Sequence, residues 1–128
     1  MPPYTPFYTV SFSKCVKRHL SRCDQIRALE TRILRDPFVS SHALTVKGEV
    51  DLRGKRARHD AGGRFVIIYM VCEECLNRGY REAGFNDCNG CEEIPENGVV
   101  FLAYGSHDDV YARYWRAHID RGEGEAKA

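Results

Sequence analysis

An alternating pattern near the N-terminus predicts a half-buried strand. In the stretch FYTVSFS, residues 7–13, Tyr8, Val10 and Phe12 alternate with polar residues. Strict alternation of this kind places one set of side chains on a core and the other in solvent. We therefore expect the chain to begin with a strand that packs on one face.

Two helices are predicted after this strand. Ser13 is a suitable N-cap for the first helix, and Asp24 for a second helix. In the second helix the apolar residues recur at helical spacing, at Ile26, Leu29 and Ile33. The Asp36-Pro37 pair should end this helix, because a residue that precedes proline disfavours the helical conformation.

Two long apolar runs predict the centre of a sheet. RFVIIYMV, residues 64–71, and GVVFLAYGS, residues 98–106, are rich in β-branched and aromatic residues. Between residues 40 and 63 the pattern weakens: LTVKGEVDLRG suggests a strand and a turn, and KRARHDAGG a basic loop or an edge strand. A helix is expected over residues 106–121, followed by a disordered tail at 122–128.

These elements predict a single α+β domain over residues 1–121, with an N-terminal strand and two helices packed on an antiparallel sheet. The 128 residues are enough for one modest core. No apolar run approaches the roughly 18 residues that would suggest a membrane span. The first ten residues lack a basic head followed by an apolar stretch, which favours a cytoplasmic protein without a membrane partner.

The charges are distributed unevenly along the chain, although the net charge is only +1. Residues 1–66 carry 13 Lys and Arg against 6 Asp and Glu, whereas residues 67–99 carry 2 against 7. The basic first half is compatible with a nucleic acid as a partner, although exposed charges often serve only solubility.

Four cysteines occupy the long connection between the two strongest strands. They form two Cys-x-x-Cys pairs with the spacing of a zinc ribbon, at Cys72, Cys75, Cys88 and Cys91. Four thiolates complete a tetrahedral shell without an open position, so the predicted zinc is structural. Its binding would order the insertion at residues 72–98, which has few apolar residues of its own.

Other chemistry for the four cysteines remains open. A redox pair, an iron–sulfur site and disulfides are the alternatives to zinc. Redox chemistry is disfavoured because neither pair shows the strand-then-helix context of a thioredoxin-like motif. Cys15 and Cys23 lie outside the four and are expected to be small buried or half-buried side chains.

Beyond the cysteines, the polar residues that could carry chemistry lie in two segments. These are LRGKRARHDAGGRFVIIY at residues 52–69 and VVFLAYGSHDDVY at residues 99–111. Four features appear in order: a Leu-x-Gly turn, a basic stretch, an Arg that opens a strand of the form RxxIY, and a last strand ending in Gly-x-His-x-x-x-Tyr. In this order they resemble the RelE/ParE superfamily. These proteins are toxins of type II toxin–antitoxin systems. The resemblance covers nearly the whole chain except the cysteine insertion and the tail.

Within that superfamily the chain looks most like the His-bearing endoribonucleases of the YafQ type. The matching positions are His59, His107 and Tyr111, and Arg64 matches the Arg that opens the corresponding strand in RelE. Two features depart from the family. Val50 stands where YafQ-like proteins have another histidine, and ordinary members lack a zinc-type insertion. The first departure leaves the identity of the general base open.

RNA cleavage through the 2′-hydroxyl needs the residue types found here. A base must deprotonate the hydroxyl, an acid must protonate the leaving oxygen, and cations must stabilise the charged transition state. Imidazoles and guanidiniums serve these roles. The predicted catalytic residues are His107, His59, Arg64, Tyr111 and Arg58. The predicted RNA-binding residues are Arg56, Lys55 and Arg53, which would steer phosphates.

The resemblance therefore implies an endoribonuclease toxin that cleaves messenger RNA in association with the ribosome and that a cognate antitoxin neutralises. One alternative is a ParE-like toxin that inhibits gyrase without cleaving RNA, although GSHDDVY at residues 105–111 argues against it. A non-catalytic zinc-ribbon adaptor is the other alternative. The acidic insertion argues against direct contact between such a ribbon and nucleic acid.

Overall fold

A computed structural model describes residues 4–44, 46–47, 50–51, 54–60, 62–79 and 94–106. The strands are β1 Thr5–Tyr8, β2 His42–Ala43, β3 Val46–Lys47, β4 Val50–Asp51, β5 Arg56–His59, β6 Phe65–Val71 and β7 Gly98–Ser106. The helices are α1 Val10–Arg18, α2 Cys23–Arg35 and α3 Cys72–Asn77, with a 3₁₀ turn at Leu20–Arg22 between the first two. The fold belongs to the α+β class, as the sequence predicts. The predicted C-terminal helix and tail lie outside the described residues.

The two longest strands, β6 and β7, pair with each other and lie inside a five-stranded sheet of order β1-β7-β6-β5-β2. Every residue from Val66 to Val71 is buried, which means that both faces of β6 are covered. The register shifts between Ile68 and Tyr69, where Leu102 is an extra residue on β7. The prediction that these two runs form the centre of the sheet is confirmed.

The sheet is mixed, whereas the sequence led us to expect an antiparallel one. β2, β5, β6 and β7 are joined by antiparallel pairs, but β1 runs parallel to β7, with Thr5 opposite Gly98. A parallel pair requires a long connection between its strands. Here nearly the whole chain forms that connection, and no local sequence signal marks it.

The first helix begins earlier than the alternating pattern suggests. β1 ends at Tyr8, and α1 already starts at Val10, with Thr9 rather than Ser13 as the N-cap. The Thr9 hydroxyl accepts a hydrogen bond from the Phe12 N–H at 3.1 Å and lies 3.1 Å from the Phe101 carbonyl, to which it donates. The same side chain therefore caps α1 and joins it to β7.

The second helix follows its predicted apolar face. Ile26, Leu29 and Ile33 are all at most 2% exposed, and the helix ends where Asp36 donates its N–H to the Arg32 carbonyl, just before Pro37. The predicted N-cap is wrong, since Asp24 lies within the first turn and Arg22 occupies the capping position. Asp24 still favours the helix there because its charge opposes the positive end of the helix dipole.

The two helices pack on one face of the sheet. Phe12 of α1 lies 5.5 Å, ring centroid to ring centroid, from Phe101 of β7. The Tyr69 hydroxyl of β6 donates to the carbonyl of Pro37, just beyond α2. Phe101 and Tyr69 are directly opposite each other in the register, so they belong to the same face. We call this side of the sheet the helix-covered face.

The basic segment after residue 54 is neither a loop nor an edge. Its strand β5 lies between β6 and the short outer strand β2. β5 pairs with β6 in an antiparallel register that runs from Arg56 opposite Tyr69 to His59 opposite Val66. Between them, Ala57 is completely buried. Upstream, β3 and β4 form a separate antiparallel pair within the stretch for which the sequence suggested a strand and a turn.

None of the helices within the described ranges combines the length and the apolar character that crossing a membrane would require.

The double role of Thr9 predicts a measurable loss of stability on truncation. Thr9→Ala should lower the free energy of unfolding by about 1–2 kcal/mol, because it removes an N-cap. Thr9→Ser retains the hydroxyl and should lose much less. Thr31→Ala is a matched control, since the Thr31 hydroxyl bonds only to the Arg27 carbonyl on the exposed side of α2. Urea denaturation followed by circular dichroism measures these differences, and equal losses for Thr9→Ala and Thr31→Ala would contradict the assignment.

Candidate functional site

His59 closes β5 and is half-buried. It pairs with Val66, and consecutive side chains in a strand point to opposite faces. Arg58 pairs with Ile67 and therefore belongs to the helix-covered face, whereas His59 belongs to the other face. The two predicted catalytic residues are neighbours in sequence, but β5 directs them to different sides of the sheet.

The structure brings a second histidine to His59. His42, on the outer strand β2, is exposed, and its ring lies 6.0 Å from that of His59, with 21° between the ring planes. The pairing of His42 with Ala57 explains the contact, because His59 is two residues further along β5 on the same face. Sequence analysis gave His42 no role. β2 has only two residues, too few for a recognisable strand pattern.

Arg64 is exposed and immediately precedes β6. The next residue, Phe65, lies opposite Ser106, and His59 lies opposite Val66. Arg64 is thus at the same end of the sheet as His59. His107 and Tyr111 follow Ser106 in the sequence and lie outside the described residues, so their predicted roles stay predictions.

Arg58 has an unusual environment on the helix-covered face. Its Nη1 atom is buried and forms no hydrogen bond with the described part of the chain. Burial raises the pKa of the nearby Tyr69 hydroxyl, while the positive charges of Arg56 and Arg58 oppose this rise. Arg58 therefore places a positive charge within the fold, on the side away from His59.

Two of the three predicted RNA-steering residues are buried. Lys55 is 1% exposed and Arg56 is 9% exposed. Arg56 donates to the Glu74 carboxylate at 2.7 Å and to the Ser41 hydroxyl at 3.1 Å. These placements do not present the two side chains to a phosphate backbone. Arg53, the third, lies outside the described residues.

Glu74 connects the cysteine segment to the sheet. It lies between Cys72 and Cys75 on α3, and its side chain is 7% exposed. The same carboxylate is also 3.7 Å from the exposed guanidinium of Arg78, one helical turn further on. The buried pair with Arg56 fixes α3 against β5, and with it the position of the first cysteine pair.

The first cysteine pair is buried at the end of β6. Cys72 is 5% and Cys75 is 2% exposed. The Cys75 sulfur lies 3.5 Å from the Gly54 carbonyl oxygen, and the Cys72 sulfur 3.8 Å from that of Ile94. Two sulfurs on one helical turn, between the segments that enclose the insertion, suit half of a four-thiolate site. Cys88 and Cys91 lie outside the described residues, and within the described ranges no three His, Cys, Asp or Glu side chains cluster as metal ligands.

The context argument against redox chemistry is wrong for this pair. β6 runs directly into α3, and Cys72 is the first helical residue, so a strand does precede a helix here. The argument from sequence failed because CEECLN, residues 72–77, is too short to show a helical period. The other two cysteines agree better with expectation, since Cys15 is buried and Cys23 is half-buried.

A network on the helix-covered face joins the 3₁₀ turn to the sheet. Arg22 donates to the Tyr104 hydroxyl at 2.9 Å and to the Asp60 carboxylate at 2.8 Å, and its guanidinium lies 3.8 Å from the centre of the Phe65 ring. Burial raises the pKa of the Tyr104 hydroxyl, and the hydrogen bond from Arg22 opposes this rise. No spacing in the sequence marks this network, because its members come from four separate segments.

A cavity of about 260 Å³ opens beside this network. It lies between α2 and the turn that joins β5 to β6, and it is lined by Arg22, Gln25, Ala28, Leu29, Arg32, Asp60 and Gly62. Asp60 directly follows His59 in the chain. The cavity thus borders the turn that follows His59, on the helix-covered face and not on the face to which His59 belongs.

Comparisons with protein-family models, with curated proteins and with solved structures find no match to this chain. The assignment of a function therefore rests on the residues of the chain and their arrangement.

The buried ion pair between Arg56 and Glu74 predicts a large effect on stability. Glu74→Ala leaves the buried guanidinium without its carboxylate and should lower the free energy of unfolding by about 3 kcal/mol or more. Glu73→Ala is the matched control, because Glu73 is only half-buried and makes one long hydrogen bond, 3.4 Å from the Tyr4 hydroxyl. Glu73→Ala should lower the free energy of unfolding by about 1 kcal/mol or less. Chemical denaturation of both variants measures the difference, and similar losses would show that the pair contributes little.

Proposed function

We propose that this chain is an endoribonuclease toxin of the RelE type, which cleaves messenger RNA through the ribose 2′-hydroxyl. The observation that carries the proposal is the meeting of two imidazoles, from His42 and His59, at the outer edge of the sheet. Cleavage of this kind needs one group that accepts a proton and one that donates a proton. Two imidazoles whose rings lie 6.0 Å apart supply both within the dimensions of one phosphodiester.

In this mechanism one imidazole removes the proton of the 2′-hydroxyl, and the other protonates the departing 5′-oxygen. His42 supplies the second imidazole that the sequence leaves open, since Val50 stands where related toxins have a histidine. Arg64, exposed at the same end of the sheet as His59, provides a guanidinium that binds two phosphate oxygens as negative charge develops. His107 and Tyr111 keep the roles that the resemblance implies, as an acid or base and as a group that stacks on a base.

The other basic residues of this segment have different roles in the proposal. Arg56 and Lys55 are buried and stabilise the fold instead of steering phosphates. Arg58 lies on the helix-covered face and does not act with His59 on the same phosphate. The phosphate-steering charge must therefore come from another part of the surface.

The proposed metal is a structural zinc held by Cys72, Cys75, Cys88 and Cys91. When bound, it supplies four bonds that order the insertion and takes no part in cleavage. The described residues of the chain fit this role, because Cys72 and Cys75 are buried on one turn of α3 and Glu74 fixes that turn to β5.

The proposed partners follow from the same resemblance. A cognate antitoxin would neutralise the toxin in the cytoplasm, and the substrate would be messenger RNA, free or on the ribosome. Residues 67–99, which include the insertion, carry 2 Lys and Arg against 7 Asp and Glu, and this negative charge repels RNA. RNA should instead approach the basic first half of the chain.

If the two imidazoles act as acid and base, replacing either histidine by a residue without ring nitrogens should abolish most of the cleavage. His59→Phe and His42→Phe retain an aromatic ring and should each slow cleavage by at least about 100-fold, the usual contribution of a general acid or base. His19→Phe is the matched control, because the His19 ring packs edge-on against Phe65 and Tyr104 away from the pair. Primer extension on messenger RNA, with and without ribosomes, measures the cleavage, and thermal unfolding checks the fold.

An oligonucleotide of the same sequence with 2′-deoxyribose should remain intact, since it lacks the attacking hydroxyl. The proposal fails if both phenylalanine variants cleave at the wild-type rate. Growth arrest with DNA breaks and intact messenger RNA would instead favour a gyrase inhibitor.

The metal assignment predicts about one zinc per chain in the purified protein. Cys72→Ser and Cys75→Ser should each lower the zinc content and the thermal stability, because one thiolate of the shell is lost. Cys23→Ser is the control and should leave the zinc content unchanged. Elemental analysis by mass spectrometry measures the metal. Protein without zinc but with disulfides at these cysteines would contradict the assignment.

A further inference from the structure

We propose that the exposed sides of α1 and α2 bind the phosphate backbone of the RNA. This inference rests on the proposed function, since it names the surface on which that substrate lies. The sequence directed attention to the basic run at residues 53–58, but the structure exposes positive charge elsewhere.

The positive charge of α1 and α2, which together with the 3₁₀ turn between them we call the helical layer, supports this surface. Residues 10–35 contain seven Lys and Arg against two Asp and Glu, a formal charge of +5, whereas the whole chain has a net charge of +1. Six of the seven cations are exposed: Lys14, Lys17, Arg18, Arg27, Arg32 and Arg35. The remaining residues together carry −4. The described helices α1 and α2 thus carry a net positive charge on their exposed sides, as binding of a polyanion requires.

The acidic residues of this layer do not cancel its charge. Glu30 is half-buried, and burial raises the pKa of its carboxyl group. Asp24 is the one exposed carboxylate of α2, at its N-terminal end. Arg27 and Arg35 lie two turns apart, about 12 Å along the helix axis, on its exposed side. Arg27 lies three residues from both Asp24 and Glu30, so its charge is partly compensated, whereas Arg35 has no acidic residue one turn away within α2.

A cavity adjoins this layer, between α2 and the turn that joins β5 to β6. Arg22 and Arg32 are in its wall, and Asp60 and Gly62 form its side towards the β5–β6 turn. Arg22 uses Nε and Nη2 in its bonds to Tyr104 and Asp60, which fixes the plane of the guanidinium at the edge of the cavity.

The size of the cavity limits what it accepts. At about 260 Å³ it lies below the roughly 300–1,000 Å³ typical of pockets for drug-sized ligands. Of the two guanidiniums in its wall, that of Arg22 is paired with Asp60. Arg32 and the Gln25 amide thus supply the contacts to a phosphate, beside an apolar floor at Leu29. The cavity therefore suits one sugar–phosphate unit of an RNA strand bound along α2.

The test uses the full chain and a labelled single-stranded RNA with 2′-O-methyl riboses, which binds without being cleaved. The triple variant Arg27→Gln, Arg32→Gln, Arg35→Gln retains good helix-forming residues at exposed positions. Its dissociation constant, measured by fluorescence anisotropy, should rise at least about tenfold at low salt. The slope of log K against log salt should fall by about 2, since each lost phosphate contact on a single strand removes about 0.7.

Two matched variants separate charge from damage to the fold. Arg78→Gln removes an exposed cation of α3, outside the helical layer, and should change affinity less than any single Gln variant in α2. Asp24→Asn removes the exposed carboxylate of α2 and should tighten binding, the opposite of what misfolding would cause. The inference is overturned if the triple variant binds like the wild type, if Arg78→Gln loses as much affinity as the α2 variants, or if the wild type binds no RNA. Tighter binding of poly-glutamate than of RNA at equal salt would also overturn it, in favour of an acidic protein partner.

Kinetics distinguish this inference from the proposed function. On cleavable RNA the triple variant should raise KM and leave kcat nearly unchanged, whereas His59→Phe should lower kcat. Salt-dependent RNA binding through α2, together with undiminished cleavage by both histidine variants, would retain the surface and reject the catalytic pair. Loss of cleavage in the histidine variants, with normal RNA binding by the triple variant, would retain the pair and reject the surface.

Discussion

Seven residue pairs join β6 to β7 in one antiparallel ladder, and the position of every site depends on that ladder. Both strands consist of buried apolar and aromatic side chains, so the ladder forms where water is excluded from both faces. β5 then aligns on β6, which places His59 opposite Val66, and β1 aligns on β7. The extra residue Leu102 lets Phe101 and Tyr104 face the same helices, which connects the ladder to α1 and to Arg22.

The alternation of side chains along β5 separates two kinds of chemistry. Arg56 and Arg58 belong to the helix-covered face, where a carboxylate and aromatic side chains surround the first and the Nη1 atom of the second is buried. Ala57 and His59 belong to the other face, and His42 meets His59 there. A run that is uniformly basic in sequence thus divides into structural guanidiniums on one side and an imidazole pair on the other.

The sequence predicted the elements whose patterns are long enough to be distinctive. β6, β7 and the buried face of α2 repeat apolar residues over seven or more positions, and the structure confirms them. The contact between His42 and His59 was not predictable, because it depends on a two-residue strand and on a register that only the folded sheet defines. The burial of Lys55 and Arg56 was missed for a related reason: charge favours exposure, and only the distant Glu74 makes burial of Arg56 tolerable.

The parallel pairing of β1 with β7 has a consequence for the order of folding. Thr5 pairs with Gly98, 93 residues later, so the edge of the sheet closes only after β7 has been synthesised. Contacts over such a separation require a costly loop closure and slow the folding of a small domain. A nascent chain holds β1 without its partner strand until β7 has been synthesised. The delay gives a chaperone or a binding partner time to engage β1 before the native sheet is complete.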